Sequence, residues 1–472
     1  MTAAGQEVVR DPRTGRTERP LRPPTTDHLD EIVERLRAGQ EIWARLSADD
    51  RSARLLQLAE ALDGARDELS AALTRDTGRT VESRMEAEQV AGMARRWAAS
   101  APALLAPRTR PASFPGISLE TSVVPYQVVG VISPWNFPLL LGLIDAIPAL
   151  AAGCAVIVKP SEVTPRFIEP LVRAVQQVPE LRDVLAVVEG AGDTGAAVID
   201  RVDAVCFTGS VPTGRRVAVA AATRFIPAFL ELGGKDPAIV LPGSDLDRAS
   251  SALLWGSTAN AGQSCLSIER IYVHTGEHDE LVDRLCTKAA ELGLTYPDPD
   301  AGAIGPLIDP DQALIVQHHL DDAVARGARI RTGGVVERHG GGHWVQPTVV
   351  TGVDHSMALM TEETFGPVLP VMAYADVDEA IALANDTVYG LTAAVFGPDI
   401  DTAASVGRRL RVGAVSVNDA GLTAFIHEGE KNSFGLSGLG ASRMGDSALH
   451  RFVRRQTLIV NPSTAPAPWW SA

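Results

Sequence analysis

The chain lacks the cysteine pattern of a disulfide framework or of a zinc site. Its four cysteines, Cys154, Cys206, Cys265 and Cys286, are scattered over 472 residues without a CxxC pair. Because such frameworks and sites need close or paired cysteines, this distribution predicts free thiols in a reducing compartment, by default the cytoplasm. Histidines and carboxylates show no ligand spacing either, so we expect no metal site.

Positive charge is also in short supply. The chain has 43 Lys and Arg residues against 58 Asp and Glu, which gives a net charge of -15, and only four of the 43 are lysines. An acidic chain is repelled by nucleic acid and by anionic membranes, so we expect neither as a general partner. Two of the lysines, Lys159 and Lys235, nevertheless lie inside motifs described below.

No apolar run has the form of a signal peptide or of a membrane span. Residues 1–25 are rich in Arg, Pro and Thr and lack an apolar core, which predicts an exposed N-terminal arm. Phe137 to Val158 is nearly all apolar, but Pro138, Asp145 and Gly153 interrupt it. This segment predicts a buried helix followed by a buried strand, and no membrane partner.

Regular alternation of helical and strand patterns fills the rest of the chain. Residues 26–105 show helical apolar spacing, with Leu29, Ile32 and Leu36 on one face. Short apolar runs then alternate with helical stretches, a rhythm that predicts an α/β fold with buried parallel strands. The predicted strands are Val128–Ile132, Ala155–Val158, Ala204–Phe207, Pro237–Val240, Ile271–His274 and Val412–Val417.

Small and polar residues follow the first three of these strands. Open parallel sheets bind ligands at the carboxyl ends of their strands. After the third strand, Gly209 and Ser210 open a helix whose free N–H groups can bind a pyrophosphate. After the second, Lys159 and Glu162 either hold the hydroxyls of a ribose or form a solvated loop. After the first, Asn136 taken alone favours a helix N-cap. The GxGxxG fingerprint is absent, so each signal is weak by itself.

A glutamate and a cysteine have the character of a base and a nucleophile. Cys265 lies in a polar Gly-Gln-Ser-Cys turn, unlike the other three cysteines, which are set in apolar sequence. Glu231 precedes Leu232 and Gly233, where backbone can approach a ligand closely. A thiolate adds to an aldehyde carbon and a carboxylate activates the water that releases the product. The pair predicts aldehyde oxidation, against the alternatives of an inert thiol and a structural ion pair.

Taken together and in order, these motifs resemble the NAD(P)-dependent aldehyde dehydrogenases from about Leu29 to the C-terminus. Glu362–Val368, Asn385–Leu391 and Gly413–Asn418 also match segments of that family. The resemblance implies an α/β fold with a Rossmann-type cofactor domain, an α/β catalytic domain and a small β oligomerisation arm. The implied boundaries are 1–25 for the exposed arm, 26–106 and 127–238 for the NAD-binding domain, 239–435 for the catalytic domain, and 107–126 with 436–472 for the oligomerisation arm and C-terminal strand.

The resemblance also implies roles for individual residues. Cys265 resembles the nucleophile that forms a thiohemiacetal and then a thioester, Glu231 the general base, and Asn136 the oxyanion donor. Lys235 has no implied chemical role. The implied cofactor contacts are Ser133, Trp135, Lys159, Glu162, Gly209, Ser210, Leu232, Gly233, Glu363 and Phe365.

Cofactor and substrate preference are finer inferences. A glutamate at 162 accepts a hydrogen bond from a ribose 2′-hydroxyl and repels a 2′-phosphate, which favours NAD while leaving NADP possible. The predicted tunnel residues suggest an apolar aliphatic or aromatic aldehyde; they are Leu141, Ile144, Ser264, Leu266 and Phe425. The segment Cys265–Val273 also resembles succinate-semialdehyde-like members, although no arginine pair is evident in the tunnel.

One segment departs from the family pattern. The loop 419–434 lacks the Pro-Phe-Gly-Gly that many members carry, and its charged run His427–Lys431 either recognises a polar substrate tail or is solvated. Exposed strand edges in the arm predict a homodimer or homotetramer. Two rival hypotheses stay open: a CoA-acylating enzyme, which the presence of Glu231 disfavours, and a catalytically silent structural or binding protein with the same fold.

Overall fold

The computed structural model describes residues 8–466 and 468–470. Residues 1–7 of the expected N-terminal arm lie outside the described residues. The expectation of an exposed arm is wrong at Val9 and Leu21, which are apolar and buried at 0% and 6% exposure, whereas Arg16 to Glu18 are exposed. Strands β1 (Val8–Arg10) and β2 (Thr17–Pro20) form an antiparallel pair there. Between them, the Arg13 guanidinium donates to the carbonyls of Gly78 (3.0 Å) and Pro297 (3.1 Å), which fastens the segment to the body of the protein.

Four helices follow, as the apolar spacing predicts. Helix α1 buries Leu29, Ile32 and Leu36 on one face, and the Thr25 side chain caps its start by accepting a hydrogen bond from the backbone N–H of His28. The cap satisfies one of the unpaired N–H groups of the first turn. The four helices are α1 (Thr26–Trp43), α2 (Ala48–Gly64), α3 (Arg66–Thr77) and α4 (Val81–Leu105).

The first large sheet has six strands in the order β19-β9-β8-β5-β6-β7. Strands β5 to β9 are parallel, and β19 joins the edge antiparallel to β9. Its elements in chain order are β5 (Val128–Ile132), α5 (Pro138–Leu143), α6 (Ala146–Ala152), β6 (Ala155–Lys159), α7 (Ile168–Val175), β7 (Leu185–Val187), α8 (Gly192–Ile199), β8 (Ala204–Thr208), α9 (Val211–Thr223), β9 (Ala228–Glu231) and, near the C-terminus, β19 (Gly438–Leu439).

The strand order of this sheet reverses at β5. The chain runs from β5 outward through β6 and β7, then returns to the other side of β5 for β8 and β9. Such a switch point opens a crevice at the carboxyl ends of the strands. Trp135 and Asn136 after β5, Ser210 after β8 and Glu231 at the end of β9 therefore share one edge.

The second sheet has seven strands in the order β12-β15-β16-β11-β10-β17-β18, parallel except for β12. Apolar clusters cover both of its faces. A separate hairpin, β13–β14, lies beside it. The elements are β10 (Asp236–Val240), α10 (Leu246–Thr258), β11 (Ile268–His274), α11 (His278–Glu291), α12 (Pro310–Ala325), β12 (Arg329–Thr332), β13 (Val336–His339), β14 (Gly342–Val345), β15 (Thr348–Thr351), α13 (Ala358–Thr361), β16 (Val368–Tyr374), α14 (Val377–Asn385), β17 (Thr392–Phe396), α15 (Ile400–Gly407), β18 (Ala414–Val417) and α16 (Leu422–Phe425).

A three-stranded antiparallel sheet stands apart from both. It consists of β3 (Arg108–Pro111), β4 (Ser118–Pro125) and β20 (Val453–Val460), preceded by the short helix α17 (Ser447–His450). All eight residues of β20 pair with β4. The predicted α/β class and the additional β arm are thus both present.

The apolar segment before Lys159 folds inside the protein. It forms α5, α6 and β6, and every residue of α6 and β6 is buried. Asp145, between the two helices, pairs with the guanidinium groups of Arg443 (2.8 Å) and Arg451. Within the described ranges, no helix has both the length and the apolar character needed to cross a bilayer.

Candidate active site

A cavity of about 230 Å³ opens where the carboxyl edge of the first sheet meets the turn before β11. Many of the predicted site residues line it. They are Trp135, Asn136, Leu141, Gly209, Ser210, Glu231, Leu232, Gly233, Cys265, Glu363 and Phe365. The cavity also has walls that sequence reasoning missed, namely Pro134, Thr208, Gln312 and Ile315.

The turn that presents Cys265 has an unusual backbone. Asn260, Ala261 and Gly262 all have positive φ, at 54°, 53° and 71°. The left-handed region costs L-residues roughly 1–2 kcal/mol each. Hydrogen bonds offset this strain: the Glu82 carboxylate accepts from the Asn260 N–H (3.0 Å), and the Gln263 side chain donates to the Asn260 carbonyl (2.9 Å). Position 262 requires glycine, because a Cβ there would overlap the backbone of Gly366.

Burial holds the Cys265 thiol in its neutral form. Desolvation raises the pKa of Cys265 to about 12, and the Glu363 and Asp236 carboxylates add to the rise. The cations of Lys431 and Arg443 oppose it. A thiol is a poor nucleophile, so a reacting Cys265 needs a partner that stabilises charge as it develops.

Asn136 faces the turn that presents Cys265. Helix α5 starts at Pro138, after Phe137, and has no side-chain cap, so Asn136 is not the N-cap of that helix. Its Nδ2 donates to the Gln263 carbonyl (3.0 Å), two residues before Cys265. A primary amide has two N–H donors, and this bond uses one of them.

A buried ion pair, which the sequence analysis did not predict, contacts the backbone of Asn136. Arg79 and Glu86 lie 2.8 Å apart with side chains 3% and 0% exposed. The Arg79 guanidinium also donates to the Asn136 carbonyl. Glu86 accepts from the backbone N–H groups of Leu139 (3.1 Å) and Leu140 (3.0 Å), which satisfies the start of α5. Burial raises the pKa of Glu86 to about 7, with Arg79 and these N–H groups opposing the shift.

Glu231 ends β9 at the rim of the cavity and is half-buried. Its Oε2 accepts a hydrogen bond from the Ser433 hydroxyl at 3.1 Å. Strand β19 runs alongside, with Gly438 opposite Glu231 in the register. The carboxylate is therefore held at the carboxyl end of β9, on the wall of the cavity that Cys265 also lines.

Lys235 tethers the loop that carries Glu363 and Phe365. Its fully buried Nζ donates to Glu269 Oε2 (2.7 Å) and to the Thr364 hydroxyl (2.9 Å), and burial lowers the pKa of Lys235 against the pull of Glu269. Glu269 accepts in turn from the N–H groups of Thr364 and Phe365, both at 2.8 Å. Lys235 is thus structural, as the sequence predicted for want of a chemical role.

The tethered loop closes one end of the cavity. Glu363 Oε1 accepts from the Gly234 N–H at 3.0 Å, and burial together with the nearby Glu269 raises the pKa of Glu363. Phe365 meets Trp135 edge to face, with ring centroids 5.4 Å apart. A Cβ at Gly233 would collide with the Glu363 carboxylate, so any side chain at position 233 would displace Glu363 at this end of the cavity.

The same edge of the first sheet has the shape and the donors that a dinucleotide needs. Ser210 precedes α9 without a side-chain cap, which leaves the N–H groups of the first turn for an anion. Lys159, at the end of β6, donates to Glu162 (3.2 Å) and to the Gly190 carbonyl (2.8 Å). Gly209 lies against the Phe207 ring, 2.6 Å from where a Cβ would stand. These residues fit the binding of NAD(P).

The remaining predicted residues lie away from the cavity walls. Ser133 is buried beneath them and its N–H donates to the Lys159 carbonyl at 3.1 Å. Ile144 is 7% exposed and belongs to the core around the first sheet. Ser264 accepts from the Leu266 N–H (3.3 Å) within the turn that presents Cys265. Phe425 is 47% exposed and packs on Trp255, with ring centroids 5.6 Å apart.

One cavity is lined by the Cys265 thiol, the Glu231 carboxylate and the Asn136 amide, and it lies beside a sheet edge that fits a dinucleotide. This combination defines a class of protein. The aldehyde dehydrogenase family model matches residues 2–458. The chain therefore belongs to that family, whose members are oxidoreductases that act on aldehydes with NAD(P).

Individual relatives sharpen the comparison. The solved structure of a putative aldehyde dehydrogenase, PutA from Anabaena variabilis, is 53% identical, with a TM-score of 0.97 over 98% of this chain and 99% of that one. A putative succinate-semialdehyde dehydrogenase [NADP(+)] from Mycolicibacterium smegmatis is 36% identical over 418 residues, 87% of this chain and 80% of its own length. A 4,4'-diapolycopene aldehyde oxidase from Methylomonas sp is 40% identical over 384 residues, 80% of this chain and 71% of its own.

Proposed function

We propose that this chain is a non-acylating, NAD-dependent aldehyde dehydrogenase that converts an aldehyde to a carboxylic acid. One observation carries the proposal: Cys265, Asn136 and Glu231 line a single cavity together with Glu363 and Phe365. A nucleophile, an oxyanion donor and a base around one space match the needs of this reaction.

Cys265 and Asn136 carry the first half of the proposed reaction. The Cys265 thiol gives its proton to water as the sulfur adds to the aldehyde carbon, and the aldehyde oxygen takes up a proton, which gives a thiohemiacetal. The free N–H of the Asn136 amide and the backbone N–H of Cys265 donate to the oxygen on which negative charge develops. NAD(P), held by residues such as Ser210 and Glu363, would supply the hydride acceptor, and Cys265 would keep the acyl group as a thioester.

Glu231 carries the second half. Its carboxylate accepts a proton from a water molecule as the water oxygen adds to the thioester carbon. The carbon–sulfur bond then breaks, and the Cys265 thiolate leaves with the bonding electrons. A carboxylate base in place argues for water as the acyl acceptor and against a CoA-acylating enzyme. Rates of acid and of acyl-CoA formation, measured with and without CoA, distinguish the two.

Glu162 supports NAD as the preferred cofactor. It lies 3.2 Å from Lys159 at the carboxyl end of β6, where a ribose would be held. A carboxylate there accepts a hydrogen bond from a 2′-hydroxyl and repels a 2′-phosphate. Some relatives bear NADP(+) in their names, so NADP use is the alternative to be measured in parallel.

The substrate we propose is an apolar aliphatic or aromatic aldehyde. Leu141 on α5 gives the cavity an apolar wall. The name of the Methylomonas relative, which concerns a diapolycopene aldehyde, agrees with this choice. A semialdehyde is the second candidate, favoured by the name of the Mycolicibacterium smegmatis relative.

We further propose a cytoplasmic homo-oligomer. Four free cysteines support a reducing compartment. The arm strands β4 and β20 carry exposed apolar residues, among them Leu458 (56%) and Ile459 (73%), which support pairing between subunits.

A panel assay tests the proposed function. NADH formation is followed at 340 nm with aliphatic, aromatic and ω-carboxy aldehydes, using NAD and NADP in parallel. We expect turnover of apolar aldehydes with NAD. Faster turnover of ω-carboxy aldehydes would favour the semialdehyde alternative, and the absence of any turnover would favour a silent protein of the same fold.

A further inference from the structure

We propose that Ser433 is a positioning residue for the hydrolytic half of the reaction, acting through Glu231. This role rests on the proposed function and extends it. Ser433 lies in the loop 419–434, the segment that departs from the family pattern in sequence. Its hydroxyl orients the Glu231 carboxylate toward the thioester on Cys265.

The contact is direct, and Arg443 is another group whose charge acts on Glu231. Ser433 Oγ donates to Glu231 Oε2 at 3.1 Å. Across the described ranges 8–466 and 468–470, no other group donates a hydrogen bond to this carboxylate, and no cation forms an ion pair with it within 4 Å. A glutamate has three rotatable bonds, so a single donor has a large share in deciding where its oxygens point.

The backbone around Ser433 is fixed by bonds to both sheets. Phe434 N–H donates to the Gly390 carbonyl at 2.8 Å, beside the second sheet. Leu232 N–H donates to the Ser437 carbonyl at 2.8 Å, next to Glu231 itself. The Ser437 hydroxyl accepts from the Gly390 N–H at 3.0 Å. The donor and its acceptor are therefore held in one frame.

Gly438 makes room for this arrangement. It stands opposite Glu231 in the register of β19 and β9. A Cβ at this position would lie 2.8 Å from the Ser433 Cβ and 3.0 Å from its Oγ. Any larger residue would push the hydroxyl away from the carboxylate, so two positions of the segment serve the same contact.

The chemistry explains why orientation matters at this step. Water adds its oxygen to the thioester carbon while one of its protons passes to a Glu231 oxygen. The carbon–sulfur bond breaks, the acid product leaves, and the proton on Glu231 returns to solvent. Ser433 donates to Oε2, which leaves Oε1 to accept the water proton. In the proposed route the thiol proton of Cys265 passes to water and not to Glu231, so Ser433 has no part in thiohemiacetal formation or hydride loss.

Single-turnover kinetics test the role. Enzyme with excess NAD is mixed with less than one equivalent of aldehyde. NADH absorbance reports acylation, and mass spectrometry of quenched samples reports the decay of the acyl adduct on Cys265. In Ser433→Ala we expect adduct decay to slow about 10- to 100-fold, the worth of a hydrogen bond to a charged group, with NADH formation within about twofold of wild type. Asn432→Ala, an exposed neighbour in the same loop, is the control and keeps both rates.

Each other outcome overturns the role. Adduct decay at the wild-type rate in Ser433→Ala shows that the hydroxyl does not orient the base. Equal slowing of NADH formation and adduct decay shows a general disturbance of the site, which thermal unfolding midpoints of the two variants would reveal independently. If the wild-type enzyme forms neither NADH nor an adduct, the proposed function itself fails and the role of Ser433 fails with it.

Discussion

At Cys265, burial and reactivity have opposite requirements. Burial shields a thioester from bulk water, but it also disfavours the thiolate that must form first. The pKa of Cys265 is raised to about 12, chiefly by desolvation, and Lys431 is the foremost group that opposes the shift. In the proposed reaction, the site therefore depends on charge stabilisation at the moment of attack, which is the role we propose for the Asn136 amide.

The rate of alkylation at different pH values measures how readily Cys265 forms its thiolate. Iodoacetamide reacts with thiolate, so inactivation of the cofactor-free enzyme should accelerate about tenfold per pH unit from pH 7 to pH 10. Lys431→Met removes the opposing cation, raises the pKa further and should slow inactivation at every pH in that range. Cys265→Ala gives the background from the other cysteines. A plateau near pH 8.5 would contradict the raised pKa.

Glu162 should set cofactor preference. Glu162→Gln removes the charge that repels a 2′-phosphate and keeps a hydrogen-bonding group in place. We expect kcat/KM with NADP to rise about tenfold relative to that with NAD, about 1.4 kcal/mol. Parallel steady-state assays with both cofactors measure the ratio, with Glu169→Gln, at an exposed position on α7, as the control. An unchanged ratio would remove Glu162 from cofactor selection.

At the scale of elements, the site depends on how α4 and α5 are joined. The Arg79–Glu86 pair bonds the start of α5 on one side and the Asn136 carbonyl on the other. Both groups are almost completely removed from water, so each depends on the other. A change in either member of the Arg79–Glu86 pair should therefore displace Asn136, the proposed oxyanion donor.

Arg79→Leu should both destabilise the protein and impair acylation. It leaves Glu86 buried without its cation, a loss of roughly 3–5 kcal/mol in the free energy of unfolding. The double variant Arg79→Leu/Glu86→Gln removes the unpaired charge and should recover part of that loss. Denaturant unfolding of the three proteins gives the comparison. A loss below about 1 kcal/mol in the single variant would mean that solvent reaches Glu86.

The elements differ in how far sequence could predict them. Apolar runs flanked by turn residues predicted the strands that follow Glu231 and Cys265, β10 and β11, because local pattern decides burial there, whereas β9, which ends at Glu231, was not predicted. The contacts of Arg79 with Asn136 and of Ser433 with Glu231 could not be predicted, since these partners are 57 and 202 residues apart in the chain and only the fold brings them together. The prediction of an exposed N-terminal arm was wrong at Val9 and Leu21, because the Arg- and Pro-rich composition around these apolar residues was given more weight than the residues themselves. Ile144 shows the limit of helix-face reasoning, because a break at Asp145 turns it into the core.

At the scale of the whole molecule, two large sheets contribute residues to one cavity and a third sheet carries an exposed apolar strip. The carboxyl edge of the first sheet presents Asn136 and Glu231, and the turn before β11 of the second sheet presents Cys265. The strip on β4 and β20 has no part in that site. It is the surface on which the proposed homo-oligomer depends.

Ile459→Arg should disrupt that assembly. Ile459 is 73% exposed, and a charge in its place cannot be buried between subunits without a partner. We expect the mass measured by light scattering during size-exclusion chromatography to fall from a dimer or tetramer toward a monomer of about 50 kDa, the 49.9 kDa of one chain. Arg455→Ala, exposed on the same strand, is the matched control. An unchanged mass would place the interface elsewhere.

The central claim is that Cys265 carries the acyl group and Glu231 releases it, and one measurement tests both parts. Glu231→Gln is mixed rapidly with NAD and an aldehyde, NADH is followed at 340 nm, and the quenched protein is digested for mass spectrometry. We predict a burst of about one NADH per active site, an acyl adduct on the peptide that contains Cys265, and little further turnover. Turnover at the wild-type rate, or a burst with no adduct on Cys265, would contradict the account.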